Sequence, residues 1–405
     1  MVVLDAFGAR WTLDVSGLEP SLGAELLRLW ERARVDTGSD APDARPFVVR
    51  RLDAATVEVN GQPVLGPVDD LPYAVSRAVT IASIARRTGE CLMLHAAGVS
   101  TADGATVALV ASSGTGKTTA SRVLGRALGY VSDETVAVEH DLAVRSYPKP
   151  LSLVVDPALP HTKRESSPDE LGLVHAPRAL SLATTVVLRR SPDAVKPVLE
   201  PISLVEAMGE VLPQTSALPS LDRPLDRLAT ALTAGHGPWR LTYRDIADCA
   251  GLVADLARQR FPDGPPHAVS WTWHDGTGTA STGTASTGTG TAASEPLPDR
   301  DAGSLPPAWT RAPFRDAVVS DGAALVMLDR VPVTLPGLAA TLWVAAASPT
   351  TLDELVAATT ASYGPHPDAR ALVTATLATL VERGVLQGAP APVTPPGGSA
   401  RPVPR

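Results

Sequence analysis

An eight-residue loop at residues 111–118 constrains the fold of this 405-residue chain more than any other part of its sequence. The loop reads Ala-Ser-Ser-Gly-Thr-Gly-Lys-Thr and fits the form A/G-x-x-x-x-G-K-[ST], in which small residues let backbone N–H groups face phosphate oxygens. An apolar run at residues 106–110 predicts a buried strand directly before it. A helix is predicted after it, over residues 118–128, with Gly129 as its end. Strand, glycine loop and helix in this order predict an α/β fold built around a phosphate-binding loop, or P-loop.

The P-loop residues have distinct expected roles. Lys117 is predicted to hold the β- and γ-phosphates of a nucleotide, and Thr118 to bind its magnesium ion. The helix after the loop presents its positive N-terminal end to the same phosphates. ATP and Mg²⁺ are therefore the expected cofactors. The residues predicted to bind the nucleotide are Ser112, Ser113, Gly114, Thr115, Gly116, Lys117, Thr118 and Thr119.

Two adjacent carboxylates follow the P-loop after a single helix. Asp133 lies 16 residues beyond Lys117 (133 − 117), at the end of a short predicted strand, and is followed by Glu134. Phosphoryl transfer needs positioning, charge neutralisation and a carboxylate that accepts the proton of the attacking hydroxyl. We therefore predict that Asp133 is the base and that Glu134 binds magnesium, directly or through water. The alternative is an acidic turn, Ser-Asp-Glu, that only caps the next element.

Two further residues are candidates for the same site. His95 ends a buried strand 22 residues before Lys117 (117 − 95), where it could touch a phosphate or orient the base. We predict a catalytic role for His95, with a purely structural histidine as the alternative. Lys149 lies in a proline-bounded turn and is predicted to contact a phosphate, or else to be a solvated turn residue.

Composition divides the chain into several parts. Residues 276–294 consist only of Gly, Thr, Ala and Ser, which cannot build a hydrophobic core. A flexible linker is therefore predicted at residues 275–300, and its 19 Gly-rich residues (294 − 276 + 1) should span about 25 Å. The other predicted parts are an N-terminal α/β part at 1–90, the P-loop domain at 91–270, a small domain at 305–388 and a disordered Pro-rich tail at 389–405.

Apolar patterns predict further elements in the first region. A helix is expected at 71–88, ended by Gly89, with an apolar face of Ala74, Ala78, Ile81, Ala82 and Ala85. The segment 159–173, which contains Lys163, Arg164 and Glu165, is open to interpretation as a mobile loop over the acceptor. The other predicted strands lie at 2–4, 11–15, 47–49, 56–60, 91–94, 183–189 and 239–243, and the other helices at 204–211 and 245–258.

These residues together resemble the HPr kinase/phosphatase family, whose core is related to that of phosphoenolpyruvate carboxykinases. The resemblance covers about residues 91–151 and is carried by His95-Ala96, the P-loop and Asp133-Glu134. It implies that the first acid is the base toward a serine hydroxyl, that the second lies near the metal, and that the protein is a homo-oligomer. The chain departs from the family at Ala111, where the family has Gly, and at Glu134, where it usually has Asp.

The family's glycine- and arginine-rich signature after the acidic pair, used on its protein substrate, is absent from this sequence. HPr itself is therefore not the expected substrate. The resemblance is closer to the shorter HPr-kinase-like proteins in gene clusters for ribosomally made, modified peptides, which phosphorylate a peptide hydroxyl. It implies that the acceptor is a Ser or Thr of a precursor peptide or small protein.

The small C-terminal domain has a pattern of its own. A hairpin is predicted at 317–328 around Asp321-Gly322, followed by a helix at 338–347. A second helix should open after Thr350 or Thr351, each with an acid three residues later, and a third is predicted at 367–383. This pattern resembles the PqqD family of winged-helix domains, which implies binding of a leader peptide as an added strand on the hairpin edge. The alternative, a DNA-binding winged helix, is disfavoured because the two later helices carry only two basic residues, both arginine.

Charge and composition exclude several functions. The net charge of −8 provides no basic surface, so no nucleic-acid partner is expected. No apolar run approaches the roughly 18 residues of a membrane helix, and the first residues lack a signal-peptide pattern, so we expect no membrane partner and a cytoplasmic location. Cys91 and Cys249 are too few for a disulfide framework, which agrees with a reducing compartment.

The sequence leaves three functions open. The leading hypothesis is an ATP-dependent kinase of a Ser or Thr in a precursor peptide or small protein, with the C-terminal domain binding the leader. The second is a nucleotide-gated scaffold that presents a peptide without transferring phosphate. The third is a kinase of a small hydroxyl compound such as free serine.

Overall fold

The computed structural model describes residues 1–35, 43–65, 70–112, 114–154, 163–261, 268–276, 280–282 and 306–390. These residues belong to two compact units, Met1–Val269 and Ser270–Arg405. Both units combine helices with β-sheets, so the chain has a mixed α/β fold. Ser113 of the P-loop, most of the predicted linker and most of the predicted tail lie outside the described residues. Within the described ranges, no helix is long and apolar enough to cross a bilayer.

The first unit begins with a six-stranded sheet and two helices. Its elements are β1 (Val2–Ala6), β2 (Ala9–Gly17), α1 (Pro20–Leu29), β3 (Arg34–Val35), β4 (Arg45–Arg51), β5 (Thr56–Val59), β6 (Gln62–Leu65) and α2 (Leu71–Arg87). The strand order is β3-β1-β2-β4-β5-β6, with a parallel β2–β4 pair and antiparallel neighbours elsewhere. Trp11, Phe47 and Val75 of this region share one apolar core with Met93 and Tyr147. The core therefore crosses the predicted division at residue 90.

The predicted apolar face of α2 is correct only in part: Ala78 and Ala82 are partly buried against the core, but they are not the centre of the buried face. The helix buries Val75 and Val79 together with the polar Ser76, Thr80 and Ser83, whereas Ile81 of the predicted face is 55% exposed. These polar side chains are buried because each hydroxyl has a distant partner, and for Ser83 it is the indole N–H of Trp11 at 2.8 Å.

The P-loop region follows, still within the first unit. Its elements are β7 (Leu92–Leu94), β8 (Ala96–Ser100), β9 (Ala105–Val110), α3 (Lys117–Leu124), β10 (Gly129–Ser132), β11 (Val136–Val138), β12 (Val144–Arg145), β13 (Leu151–Val154), β14 (Lys163–Ser166), β15 (Val174–His175), β16 (Ser181–Arg190), β17 (Val198–Pro201), α4 (Leu204–Val211), β18 (Thr215–Ser216), α5 (Pro224–Thr233), β19 (Trp239–Tyr243) and α6 (Ala250–Ala257).

A seven-stranded sheet places the P-loop at its centre. Its order is β15-β10-β8-β9-β16-β19-β17, and β9 runs parallel to β16 and antiparallel to β8. The P-loop leaves the end of β9, where Val110 pairs with Val187 on one side and Ala96 on the other. A four-stranded sheet, β12-β11-β7-β18, and the hairpin β13-β14 complete the region. The strand β8 is therefore a direct neighbour of the P-loop strand, and β10, which ends just before Asp133, is the next strand beyond β8.

Three boundaries differ from the sequence predictions. The helix after the P-loop ends at Leu124 and not at residue 128, because the chain turns at residues 125–128 to begin β10 beside Ser100. The helix predicted at 245–258 consists of a 3₁₀ turn, Ile246–Cys249, followed by α6. Part of the supposed loop at 159–173 is the strand β14, which pairs with β13, while residues 155–162 lie outside the described chain.

The second unit contains a five-stranded antiparallel sheet, a separate strand pair and three helices. Its elements are β20 (Thr272–Asp275), β21 (Ala280–Thr282), β22 (Ala308–Arg311), β23 (Asp316–Ser320), β24 (Ala323–Leu328), β25 (Val331–Pro336), α7 (Leu338–Ala345), α8 (Leu352–Tyr363), α9 (Ala369–Glu382) and β26 (Leu386–Ala389). The sheet order is β21-β20-β23-β24-β25, and β22 pairs with β26. Thr351 and Glu354 form the capping box that opens α8.

The predicted hairpin and three helices are present in the second unit, but its sheet is larger than predicted. Both outer edges of the hairpin β23-β24 are paired with strands of the same chain, β20 and β25. The hairpin β23-β24 therefore has no unpaired edge within the described residues. The described Ala280–Thr282 is likewise a strand within the predicted linker, since backbone pairing requires no apolar side chain. Ala389, assigned to the tail, pairs with Ala308.

Candidate functional site

The P-loop has the backbone geometry that the motif predicts. Gly114 and Gly116 have φ values of +82° and +100°, in the left-handed region that favours glycine, directly before α3. The Lys117 ammonium donates to the carbonyl oxygens of Ala111 at 2.6 Å and Ser112 at 3.2 Å. Burial lowers the pKa of Lys117 below its ordinary value, and the nearby carboxylates oppose this shift. The Lys117 side chain therefore lies against its own loop. Phosphate oxygens of a bound nucleotide would replace the two carbonyl oxygens as acceptors for its ammonium group.

The carboxylate of Asp133 lies beside the P-loop. Its Oδ2 atom is 3.2 Å from the Thr118 hydroxyl, the group predicted to bind magnesium. Its Oδ1 atom accepts a hydrogen bond from the Tyr130 hydroxyl at 3.1 Å and lies 3.2 Å from the Lys149 ammonium. Asp133 is 5% exposed. One oxygen of this carboxylate is thus fixed by protein groups, and the other faces the loop.

Ser132 holds the turn that carries the acidic pair through both its hydroxyl and its carbonyl group. The Ser132 hydroxyl accepts from the backbone N–H groups of Glu134 and Thr135, both at 3.1 Å, and the Ser132 carbonyl accepts from Ser121 of α3 at 3.1 Å. The acidic turn weighed as an alternative is therefore present, and it also sets the carboxylates against the P-loop helix.

His95 is anchored to the same turn. Its Nδ1 atom lies 2.9 Å from the Glu134 carbonyl oxygen, and its backbone N–H donates to Gln214 at 2.6 Å. Burial and the nearby Lys117 ammonium lower the pKa of His95. The ring is therefore neutral near pH 7, with Nδ1 donating its proton to the carbonyl and Nε2 left as an acceptor.

Lys149 is buried between the two carboxylates. Its side chain is 2% exposed, and the ammonium lies 3.2 Å from Asp133 Oδ1 and 3.4 Å from Glu134 Oε2. It also donates to the Pro150 carbonyl at 2.9 Å. Burial alone would lower the pKa of Lys149, but Asp133, Glu134 and Glu165 together raise it well above its ordinary value. The alternative of a solvated turn residue is therefore wrong.

A third carboxylate, Glu165 of β14, was not predicted as a site residue. It accepts from Ser76 of α2 at 2.8 Å and from Ser152 of β13. Burial raises the pKa of Glu165, while Lys149 and both hydroxyl groups act in the opposite direction. Two hydroxyl donors and a lysine are the kind of partners that a buried carboxylate requires.

These residues surround one cavity of about 710 Å³. The P-loop and α3 contribute Gly114, Gly116, Lys117, Thr118 and Thr119 to its lining. Other lining residues belong to α2 and the hairpin β13-β14. The remaining lining residues are Tyr73, Ser76, Arg77, His95, Arg122, Asp133, Glu134, Lys149, Ser152, Leu153, Val154 and Lys163. His95, Lys117, Asp133, Glu134 and Lys149, all singled out from the sequence, therefore meet in one place.

The donor set fits a magnesium–nucleotide complex. Magnesium prefers hard oxygen ligands and usually takes only one or two from the protein, with phosphates and waters completing its shell. Thr118 offers one such oxygen, and the Glu134 carboxylate, whose side chain is 34% exposed, lies at the same cavity and offers another. Within the described residues no group of three His, Cys, Asp or Glu could hold a metal alone.

The other residues predicted to contact the nucleotide differ in whether they line the cavity. Thr119 lines the cavity, whereas Ser112 and Thr115 bond to each other, with the Thr115 hydroxyl 2.9 Å from the Ser112 carbonyl. Ser113 lies outside the described residues.

Sequence analysis missed Tyr130, Thr80, Ser76 and Glu165. Polar residues four apart on an otherwise apolar helix, Ser76 and Thr80, were the signal available for α2. Thr80 Oγ1 lies 3.2 Å from Glu134 Oε2 and 2.8 Å from the hydroxyl of the buried Tyr147.

The fold and site define the first unit as a mixed α/β structure with a P-loop beside an acidic pair, of which Asp133 is buried and Glu134 is partly exposed. No protein-family model matches the chain, and no curated protein matches it. Among solved structures, the Hpr(Ser) kinase/phosphatase from Coxiella burnetii is similar over 41% of this chain and 93% of its own, at 11% identity and a TM-score of 0.24. At this TM-score the similarity supports no functional assignment.

Proposed function

We propose that the chain is an ATP-dependent kinase that phosphorylates a Ser or Thr hydroxyl of a precursor peptide or small protein. The observation that supports this most strongly is the 3.2 Å contact between Thr118 of the P-loop and Asp133. It brings a phosphate-binding loop and a buried carboxylate to one cavity, which is the arrangement that phosphoryl transfer requires.

The donor side of the cavity would bind the nucleotide. Backbone N–H groups of the loop, the Lys117 ammonium and the N-terminal end of α3 provide positive charge for the phosphates. Thr118 would hold the magnesium ion, with Glu134 as a further ligand directly or through water. The ion would neutralise charge on the transferred phosphoryl group.

Asp133 would act as the base. Tyr130 and Lys149 occupy its Oδ1, so Oδ2 is the oxygen that can accept a proton next to the loop. The acceptor oxygen would bond to the γ-phosphorus while the bond between that phosphorus and the β–γ bridging oxygen breaks. The hydroxyl proton would pass to Asp133, and ADP would leave. His95, with Nε2 free, would position the phosphoryl group or the acceptor.

The second unit would bind the acceptor peptide away from the reacting hydroxyl. A peptide can be added as a strand to an open sheet edge. The described sheet is bounded by β21 and β25, so an incoming strand would either pair with β25 or displace β20 from β23. Holding the peptide on the same chain as the kinase site would raise its effective concentration there.

The test is transfer of labelled γ-phosphate from Mg-ATP to candidate precursor peptides by the full chain. Asp133→Asn should reduce the transfer rate by about 10²–10⁴-fold, because it removes the base, while ATP binding is retained. Asp193→Asn is the matched control, since Asp193 is exposed and lies away from the cavity. It should transfer at the wild-type rate.

Two outcomes would argue against this function. Equal transfer by the wild type and Asp133→Asn would remove Asp133 from the base role. ATP binding without transfer to any peptide would contradict the peptide-kinase proposal itself.

A further inference from the structure

The two carboxylates of the acidic pair contact different helices beside the cavity. Asp133 contacts Thr118 of α3, on the donor side. Glu134 contacts Thr80 of α2. Tyr73, Ser76 and Arg77, which precede Thr80 on α2, line the cavity. The surface of α2 is therefore available to an acceptor whose hydroxyl lies next to Asp133.

Cations line this acceptor side. Tyr73 and Arg77 lie one turn apart on α2 and both line the cavity. Lys163, the first residue of β14, places its ammonium 5.3 Å from the centre of the Tyr73 ring. Neither Arg77 nor Lys163 forms an ion pair with a carboxylate of the part of the chain that is described, in contrast to the buried Lys149. Within the described residues, these two charges therefore line the cavity without a carboxylate partner.

The nucleotide does not account for these two charges. Its phosphates are expected at Lys117 and α3, where Arg122 supplies one more cation on the donor side. Arg77 and Lys163 belong to α2 and β14, two elements outside the P-loop and its helix, and α2 contacts Glu134 through Thr80.

We propose that Arg77 and Lys163 form an anion subsite for the acceptor, so that the substrate is an acidic peptide with a carboxylate near the phosphorylated hydroxyl. This inference rests on the proposed kinase function and specifies its substrate class. The Tyr73 ring, with the Lys163 ammonium over it, belongs to the same lining.

Helix geometry gives the spacing. At a rise of about 1.5 Å per residue, Arg77 lies about 4.5 Å and Tyr73 about 10.5 Å along α2 from Thr80, the contact of Glu134. An extended peptide advances about 3.4 Å per residue. The acidic side chain is therefore one to three residues from the phosphorylated Ser or Thr.

The experiment uses three synthetic peptides that are identical except for Asp, Ala or Lys two residues from a single Ser. Their binding to the full chain is measured by fluorescence anisotropy in the presence of Mg²⁺ and a non-hydrolysable ATP analogue. The Asp peptide should bind about tenfold more tightly than the Ala peptide, and the Lys peptide least tightly. The double variant Arg77→Gln/Lys163→Gln should lose this preference and bind the ATP analogue as the wild type does.

Arg126→Gln is the matched control, because Arg126 is an exposed cation just beyond α3 that does not line the cavity. It should keep the preference for the Asp peptide. Equal binding of the three peptides, no binding of any, or a loss of ATP-analogue binding in the double variant would overturn the subsite. Binding is measured without phosphoryl transfer, so the result tests the subsite independently of the kinase activity. A chain that prefers the Asp peptide but transfers no phosphate would contradict the kinase function and not the subsite.

Discussion

Replacing Lys149 with methionine should destabilise the first unit, because it removes the only positive charge buried between Asp133 and Glu134 within the described structure. The ammonium is 3.2 Å and 3.4 Å from the two carboxylates, and its side chain is 2% exposed. Removing one partner of a buried ion pair costs about 3–5 kcal/mol. Since the Glu134 side chain is 34% exposed and partly hydrated, we take the lower end, about 3 kcal/mol, or roughly a 100-fold change in the folding equilibrium.

The assay is equilibrium urea unfolding of the full chain, followed by hydrogen exchange of residues 129–138, which belong to the first unit. Lys163→Met is the matched control, since its cation lies over the Tyr73 ring and has no ion pair in the described chain; its loss should be below about 1 kcal/mol. A loss no greater than that of Lys163→Met would refute the reasoning.

Three further predictions concern single residues. Glu134→Gln should raise the Mg²⁺ concentration needed for half-maximal transfer by about tenfold in a magnesium titration; an unchanged requirement would remove Glu134 from the metal site. The pKa of His95 is lowered in the folded protein, so as the pH drops below about 6.5 the unfolded chain is protonated at this residue before the folded protein is, and the free energy of unfolding should fall. His95→Gln should remove this part of the pH dependence of the urea midpoint. Identical pH profiles for the wild type and the variant would contradict the lowered pKa. Trp273→Ala should speed amide exchange in Asp316–Ser320, because Trp273 pairs with Val318 and is 8% exposed, whereas unchanged exchange would show that β20 does not protect this edge.

Local sequence patterns predicted much of the first unit. The P-loop could be recognised because its spacing, its glycines and the flanking strand and helix are all local signals, and Gly114 and Gly116 have the positive φ values that this motif requires. The helix Leu204–Val211 and the strand Trp239–Tyr243 have the predicted boundaries. The convergence of His95, Asp133 and the loop followed from their positions at the ends of neighbouring strands.

Contacts between distant residues could not be predicted in the same way. Alanine and isoleucine positions suggested one face of α2, but the helix buries another, because Ser76 and Thr80 meet Glu165 and Glu134, 89 and 54 residues away. The burial of Lys149 has the same origin, since a lysine in a proline-bounded turn has no local sign of three carboxylate neighbours. In the second unit, β20 was missed because a four-residue strand beside a Gly- and Thr-rich segment has too short a pattern.

Calorimetric titration of Mg-ATP into the full chain, comparing the wild type with Lys117→Met, tests the central claim most directly because it needs no knowledge of the acceptor. If residues 111–118 cradle the nucleotide phosphates, the variant should bind at least about tenfold more weakly, as expected for loss of a hydrogen bond to a charged group. The wild type should also lose affinity when Mg²⁺ is removed. Equal affinity of the two proteins for Mg-ATP, or no binding by the wild type, would contradict a nucleotide site at this loop.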